Sequence, residues 1–362
     1  MDKNKKKYYY GFLAIMVLVA LTFFISEGGY DQVRRSTVKN CINFARQCRK
    51  WKLYQLSNLN CRIALKLSPD IKYMNFAIAY NDFLDARDTS NQIRKKKLAN
   101  EAIVLYREES KLHPDDYSIY QNIGATYELL EEYDKSVTNY EYAIKLNEKD
   151  SYSYGRLAYL DTHVYRKYDE ALEYMDKYFK YEKKPVGEDY FQKAYILSSL
   201  ERYKEAIEYY NKYLEIHPNT VAALVNISGC EVEAQDYENA EKHVELGLKY
   251  NSTSSYLLSH KIDILIHKRD FEKAEEITNR MIDRNKYNGY IGYWKLAVIE
   301  RLKGNQSKAE EYYQMSKDNA QEYFDKYCSG KGYDLTDFDG KCSNRYDHLE
   351  NFEKEKAKPI KL

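Results

Sequence analysis

The chain is poor in the residues that interrupt helices. Its 362 residues include 14 Gly and 5 Pro, so long segments can remain helical. It also lacks an excess of either charge. There are 57 Lys and Arg against 56 Asp and Glu, a formal net charge of +1. Phosphate binding needs a basic surplus, so nucleic acid is not an expected partner. None of the six cysteines forms a Cys-x-x-Cys pair, which argues against a zinc ribbon or thioredoxin-type centre. No Gly-x-Ser-x-Gly element or glycine-rich phosphate loop occurs. The seven histidines are scattered; His260, Asp263 and His267 come nearest to a metal or general-base grouping, and a groove or surface role fits them better. No cofactor, catalytic residue, metal site or small-molecule substrate is expected.

What is abundant is tyrosine, 40 residues of it, within a composition that is 44 % hydrophobic and 31 % charged. Tyrosine combines a large apolar ring with a polar tip and suits half-buried positions on helix faces. Near the start, Lys3 and Lys5–Lys7 precede an apolar run from Tyr8 to Ile25, about the shortest length that spans hydrocarbon as a helix. Residues 1–7 thus read as a basic segment, 8–26 as a transmembrane anchor or signal helix and 27–37 as a linker. The lysines place the N-terminus in the cytoplasm and the remainder on the non-cytoplasmic side, periplasm or lumen. A cleaved signal peptide has the same layout, although no clear Ala-x-Ala follows, and would give a secreted protein.

Beyond residue 38 the chain repeats. Small residues stand at Ala102, Ser136, Ala171, Ala206, Ala240, Ala274 and Ala309, spaced by 34, 35, 35, 34, 34 and 35 residues. Tyr133, Tyr168, Tyr203, Tyr237 and Phe271 lie three positions ahead of five of them. Gly124, Ala194, Ser228 and Ala297 lie twelve ahead, and Ala158 joins them if one residue is inserted before Ala171. Two antiparallel helices can meet at such small residues while large ones fill the space around them. Lys193 and Lys261 put a charge directly before two of these first-helix positions, Ala194 and Ile262.

Ile123-Gly-Ala-Thr-Tyr127, Ala206-x-x-x-Tyr210 and the closing Pro218 resemble elements of the tetratricopeptide repeat, a helix–turn–helix unit of 34 residues. The resemblance covers about four fifths of the chain and implies an all-α, right-handed superhelical solenoid. It implies two degenerate repeats over 38–116, with a longer first helix or loop around 87–97, and six clear ones over 117–323. It also implies a concave wall built from the first helix of each pair. Alignment to the repeat puts Asn122, Tyr152, Arg156, Tyr159, Phe191, Gln192, Tyr195, Asn226, His260, Asp263, Trp294 and Lys295 on that wall. The family's paired Lys, Asn and Arg clamp for a C-terminal carboxylate is matched only by Asn122, Arg156 and Lys295 in distant repeats, so the clamp is not expected.

Export would permit disulfides. Cys328 and Cys342 bracket a glycine-containing loop, and a bridge closing it would contribute roughly 3 kcal/mol. Cys41 and Cys61 could pair across the first two helices, whereas Cys230 reads as a small core residue. Residues 324–362 form a tail that is Lys/Glu-rich and frayed from Asn351 onward; Asp334, Asp337 and Asp339 within it read as a solvated turn rather than a calcium loop. The expected function is a non-enzymatic, membrane-tethered scaffold holding a protein or peptide in its groove. The alternative is an envelope or secretory-pathway assembly factor that recruits or holds an enzyme.

Overall fold

The computed structural model describes residues 27–284, 289–328 and 341–358. Every regular element among them is a helix: α1 Glu27–Lys50, α2 Tyr54–Leu67, α3 Met74–Asp88, α4 Gln92–Leu112, α5 Tyr117–Leu129, α6 Tyr133–Leu146, α7 Ser151–Leu160, α8 Tyr168–Tyr181, α9 Gly187–Ser199, α10 Tyr203–Ile216, α11 Val221–Glu233, α12 Tyr237–Tyr250, α13 Ser255–His267, α14 Phe271–Arg284, α15 Gly289–Leu302, α16 Gln306–Tyr327 and α17 Lys341–Ala357. The chain divides between Leu157 and Ala158 into two compact units. The segment expected to anchor the chain, 8–26, lies outside the described residues. Among those described, no helix is long and apolar enough to cross a membrane.

The small residues set the helix pairs as expected. Ala102, Ser136, Ala171, Ala206, Ala240, Ala274 and Ala309 are all fully buried. In the first unit a Cβ on Gly124 would come within 2.8 Å of the Tyr140 ring, while the Ser136 hydroxyl donates to the Gly124 carbonyl at 2.9 Å. The first pair repeats this contact without having revealed it in the sequence, since Ser57 donates to the Ala45 carbonyl at 2.9 Å. Tyr106, Tyr140 and Tyr210, four residues after their small markers, have no exposed surface. Burying a side chain of this size contributes on the order of 2–3 kcal/mol.

From α5 onward the turn inside each pair is a helix C-cap in which one residue goes left-handed, whereas α3 ends on Thr89 in an extended conformation. Glu131, Glu201, Gln235 and Arg269 have φ between 58° and 63°, and Gly304 takes the same place at 86°. The next amide returns to a carbonyl five residues back, as in Glu132 to Tyr127 at 2.9 Å and Asp236 to Glu231 at 2.8 Å. This satisfies carbonyls left over at the helix end. The pair α7/α8 differs by one residue. There Arg166 is left-handed and the Lys167 amide returns six residues, to Asp161. The insertion before Ala171 is taken up as a π-helical turn, Asp161–Tyr165.

Three expectations change. Residues 27–37, read as a linker, are the first turns of α1. The extra length in 72–116 lies in the second helix, since α4 has 21 residues and α3 has 15. The end of the chain is not wholly frayed: α17 carries Phe352, which is buried with Ala297 and Tyr313, and this apolar anchor outweighs the charged composition around it. Lys193 is accommodated by burying its stem and directing its ammonium to Asp176 at 2.7 Å and over the Tyr209 and Phe179 rings at 4.6 and 5.0 Å.

Cys41, Cys48, Cys61 and Cys230 are free, buried thiols. The Cys41–Cys61 bridge is therefore not formed; both residues pack as small apolar groups with Ala45, Ala64, Met74 and Ile78. Cys328 is buried and disulfide-bonded. The side chain of Cys342 and the acidic turn at 334–340 lie outside the described residues.

Candidate functional site

In the first unit the wall residues are tied into the packing. The Asn122 amide donates to the Ser118 carbonyl at 2.7 Å and accepts from the Tyr106 hydroxyl at 3.4 Å. Arg156 grips both carboxylate oxygens of Glu128, its Nε 3.0 Å from Oε1, and Tyr140 donates to the same carboxylate at 2.6 Å. Tyr152 meets Tyr140 edge-on and keeps 48 % of its surface exposed. This face therefore offers a tyrosine beside a neutralised charge pair.

The second unit divides its wall into two stretches. In the first, the π-helical turn presents His163 between Tyr159, 4.5 Å away, and Tyr195, 5.7 Å away. Together they make a partly exposed aromatic step. Phe191, partly buried, packs on Tyr210 and Tyr213 at 5.5 and 5.1 Å, against the helix-pair core. The Gln192 amide nitrogen and the Tyr210 hydroxyl are buried without hydrogen-bond partners among the described residues. Asn226 and Ser198 are the polar neighbours of that hydroxyl.

The second stretch comes from α11, α13 and α15. His260 Nδ1 lies 2.9 Å from the Ser228 hydroxyl, which itself donates to the Val225 carbonyl at 3.0 Å. With that hydroxyl acting as a donor, the imidazole donates to it and carries its proton on Nδ1. Burial, helped by the Lys295 charge, pushes the His260 pKa down to about 3, so the ring is neutral. Lys295 Nζ contacts both oxygens of Asp263 at 2.6 and 2.7 Å. Burial drives the Asp263 pKa up and Lys295 opposes that rise. His267 faces elsewhere, stacked on Tyr237 at 3.8 Å. His260, Asp263 and His267 accordingly do not converge, and among the described residues no three His, Cys, Asp or Glu side chains form a metal-binding group.

Asp263, Trp294 and Lys295, three of the twelve wall residues read from the sequence, line one cavity of 370 Å³. Tyr203, Tyr237 and Tyr313 line it as well, and the repeat alignment did not place them there. Tyr203 and Tyr237 had served only as register markers. The spacing of His348, Phe352 and Lys356, each four apart, was the available signal that α17 would present one face to the last repeat. The walls are aromatic with a few fixed polar groups, the composition of a site that grips side chains and orients a chain.

Residues 117–150 and 190–220 match the sequence profile of the tetratricopeptide repeat; the chain carries tetratricopeptide repeats. No curated protein matches it. Among solved structures, the chain is similar to YrrB, described as a tetratricopeptide-repeat protein with an unusual peptide-binding site. Identity is 18 %, with 49 % of this chain and 91 % of that one covered and a TM-score of 0.46. A tetratricopeptide repeat protein from Parabacteroides merdae is 15 % identical, with coverages of 75 % and 98 % and a TM-score of 0.45. The C-terminal part of a repeat protein from Cytophaga hutchinsonii is 15 % identical, with the same coverages and a TM-score of 0.46.

Proposed function

We propose that this tetratricopeptide-repeat chain is a non-catalytic scaffold that holds a protein or peptide partner against the first-helix wall of its second unit. The observation that supports this most strongly is the cavity in which Asp263, Trp294 and Lys295 meet Tyr203, Tyr237 and Tyr313. Aromatic rings there can take apolar anchors, while the paired Lys295 and Asp263 fix polar direction. Extended or helical segments bind in this way to grooves with alternating apolar and polar groups. Tethering through residues 8–26, with the repeats on the non-cytoplasmic side, completes the reading.

The test is affinity capture from source cells with the full chain, its Trp294→Ala variant and a Lys242→Ala control. Lys242 is exposed on α12 and pairs with Glu238. Proteins held by the wild type and by Lys242→Ala but lost by Trp294→Ala support the groove. A retained set that ignores Trp294 argues against it. A single stoichiometric enzyme in the lost set would identify the partner class as an enzyme held by the array. Deleting residues 1–26 should move the protein out of the membrane fraction.

A further inference from the structure

The cavity of the second unit is closed along one side by the chain's own C-terminal segment. Helix α17 is held first by an apolar contact, with Phe352 buried against Trp294 and Tyr313 at ring distances of 5.4 and 6.5 Å. His348 adds a contact to the Ser316 hydroxyl at 3.1 Å. Past Phe352 the interactions change character. Glu353 reaches Lys317 at 3.6 Å, Lys356 pairs with Glu310, and Lys358 pairs with Glu355 at 2.7 Å. Apart from Lys356 these side chains are largely exposed, and such pairs hold weakly and are screened by salt. Arg301 Nη1 holds the end of the helix by donating to the Lys356 carbonyl at 3.1 Å, a favourable place for a cation.

This loosely held end contributes Glu355 and Lys358 to the cavity lining, across from Glu201 and Glu233. Glu355 first, and then Glu201 and Glu233, raise the pKa of the Lys358 ammonium. These carboxylates share the lining with the rings of Tyr203 and Tyr237, a combination that favours a cation.

We infer that this cavity takes a basic side chain, Lys or Arg, of a peptide partner, and that the segment Glu355–Lys358 occupies it in cis. The inference rests on the groove reading above and adds to it the chemistry of the anchor and a built-in competitor. Because the competitor is joined to the site, a partner meets an apparent affinity lowered by the fraction of chains that are closed.

The test uses the full chain carrying Trp51→Phe, which leaves Trp294 as the reporter because the sequence has two tryptophans. Hexalysine is titrated while Trp294 emission is followed, with hexaglutamate as the control ligand. Three further changes are compared in this background: Lys358→Gln, Lys354→Gln, and Lys358→Gln combined with Glu201→Gln and Glu233→Gln. Lys354→Gln makes the same change in charge on the exposed side of α17, outside the lining. Lys358→Gln is expected to lower the half-saturating hexalysine concentration about tenfold, Lys354→Gln less than twofold, and the combined variant should lose the response. Equal behaviour of the Lys358 and Lys354 variants, or a response that survives loss of both glutamates, overturns the inference, and so does a lack of any response in the Lys358→Gln chain. If that happens while partner capture still depends on Trp294, the groove stands and self-occupation falls.

Discussion

Lys295 reaches back to Asp263 and contacts both carboxylate oxygens, at 2.6 and 2.7 Å, across consecutive first helices of the second unit. The pair is largely sheltered, with side-chain exposures of 15 % and 25 %, so removing one partner leaves the other charged in a poor solvent. Lys295→Met is expected to destabilise the second unit by roughly 1–3 kcal/mol, less than a fully buried pair would cost because both groups retain some water. Asp263→Asn added to Lys295→Met should restore most of the loss in thermal melts. The same Lys295→Met change should raise the His260 pKa, seen as a shift of its imidazole titration by NMR, since Lys295 helps to hold it down.

Two tyrosines in equivalent places should respond oppositely to the loss of a hydroxyl. Tyr140 and Tyr210 are both fully buried four residues after a small marker. Tyr140 donates to Glu128 at 2.6 Å, whereas Tyr210 has no hydrogen-bond partner among the described residues. Tyr140→Phe should cost about 1.5–3 kcal/mol because a bond to a charged group is lost. Tyr210→Phe should be neutral or stabilising by up to about 1 kcal/mol, since it relieves a buried polar group. Urea unfolding of the two variants checks the contrast, and equal losses would contradict it.

The recurring left-handed turn residue gives a third expectation. Gln235 has φ of 63°, a conformation that strains a side chain with a Cβ. Gln235→Gly removes that strain but loosens the unfolded chain, for a net gain of about 0.5–1 kcal/mol. The same change at Ala234, which is in the right-handed region, should lower the melting temperature.

The helix pairs were legible because their register depends on volume. A small residue every 34 or 35 positions is a steric requirement that composition displays directly. The one-residue excess before Ala171 was visible for the same reason, although nothing in the letters Asp161–Tyr165 announces a π turn. The left-handed residues Glu131, Arg166, Glu201, Gln235 and Arg269 escaped notice because none is glycine. Phe191, which the alignment placed on the wall, is partly buried and also packs against the pair core beside Tyr210, a second contact that the alignment does not display. The role of α17 was hidden by its Lys/Glu-rich surroundings, since one buried residue, Phe352, is enough to dock it. Ser57 was missed because serine can act either as a small packing residue or as a solvated one. Its bond to the Ala45 carbonyl shows the first.

Acidity supplies a fourth expectation, within the first unit. Asp82 is buried and accepts from the Asn58 amide at 2.6 Å. Burial outweighs that bond and pushes its pKa from 3.8 up to about 6. A carboxyl whose folded pKa is raised favours folding when protonated. Its contribution is complete below pH 3.8 and is lost as pH rises through about 6. Asp82→Asn keeps the acceptor oxygen without the charge. The variant should be more stable than the wild type at pH 7.5, by about 1–2 kcal/mol after allowance for relaxation around the site. The gap should narrow as pH falls through about 6 and close only below pH 3.8, where the carboxyl is protonated in both folded and unfolded chains. A gap that is constant from pH 7.5 to 4.5 would show that the carboxylate is not penalised.

The most direct test of the groove is photocrosslinking in source cells, with a photoreactive residue placed at Val298 in one chain and at Lys242 in another. Val298 lines the cavity of the second unit and Lys242 lies exposed on α12. The predicted result is a discrete polypeptide adduct from position 298, lost when Trp294→Ala is added, and none from position 242. Adducts from position 242 alone, or adducts from both positions that ignore Trp294, would contradict the assignment of partner binding to this wall.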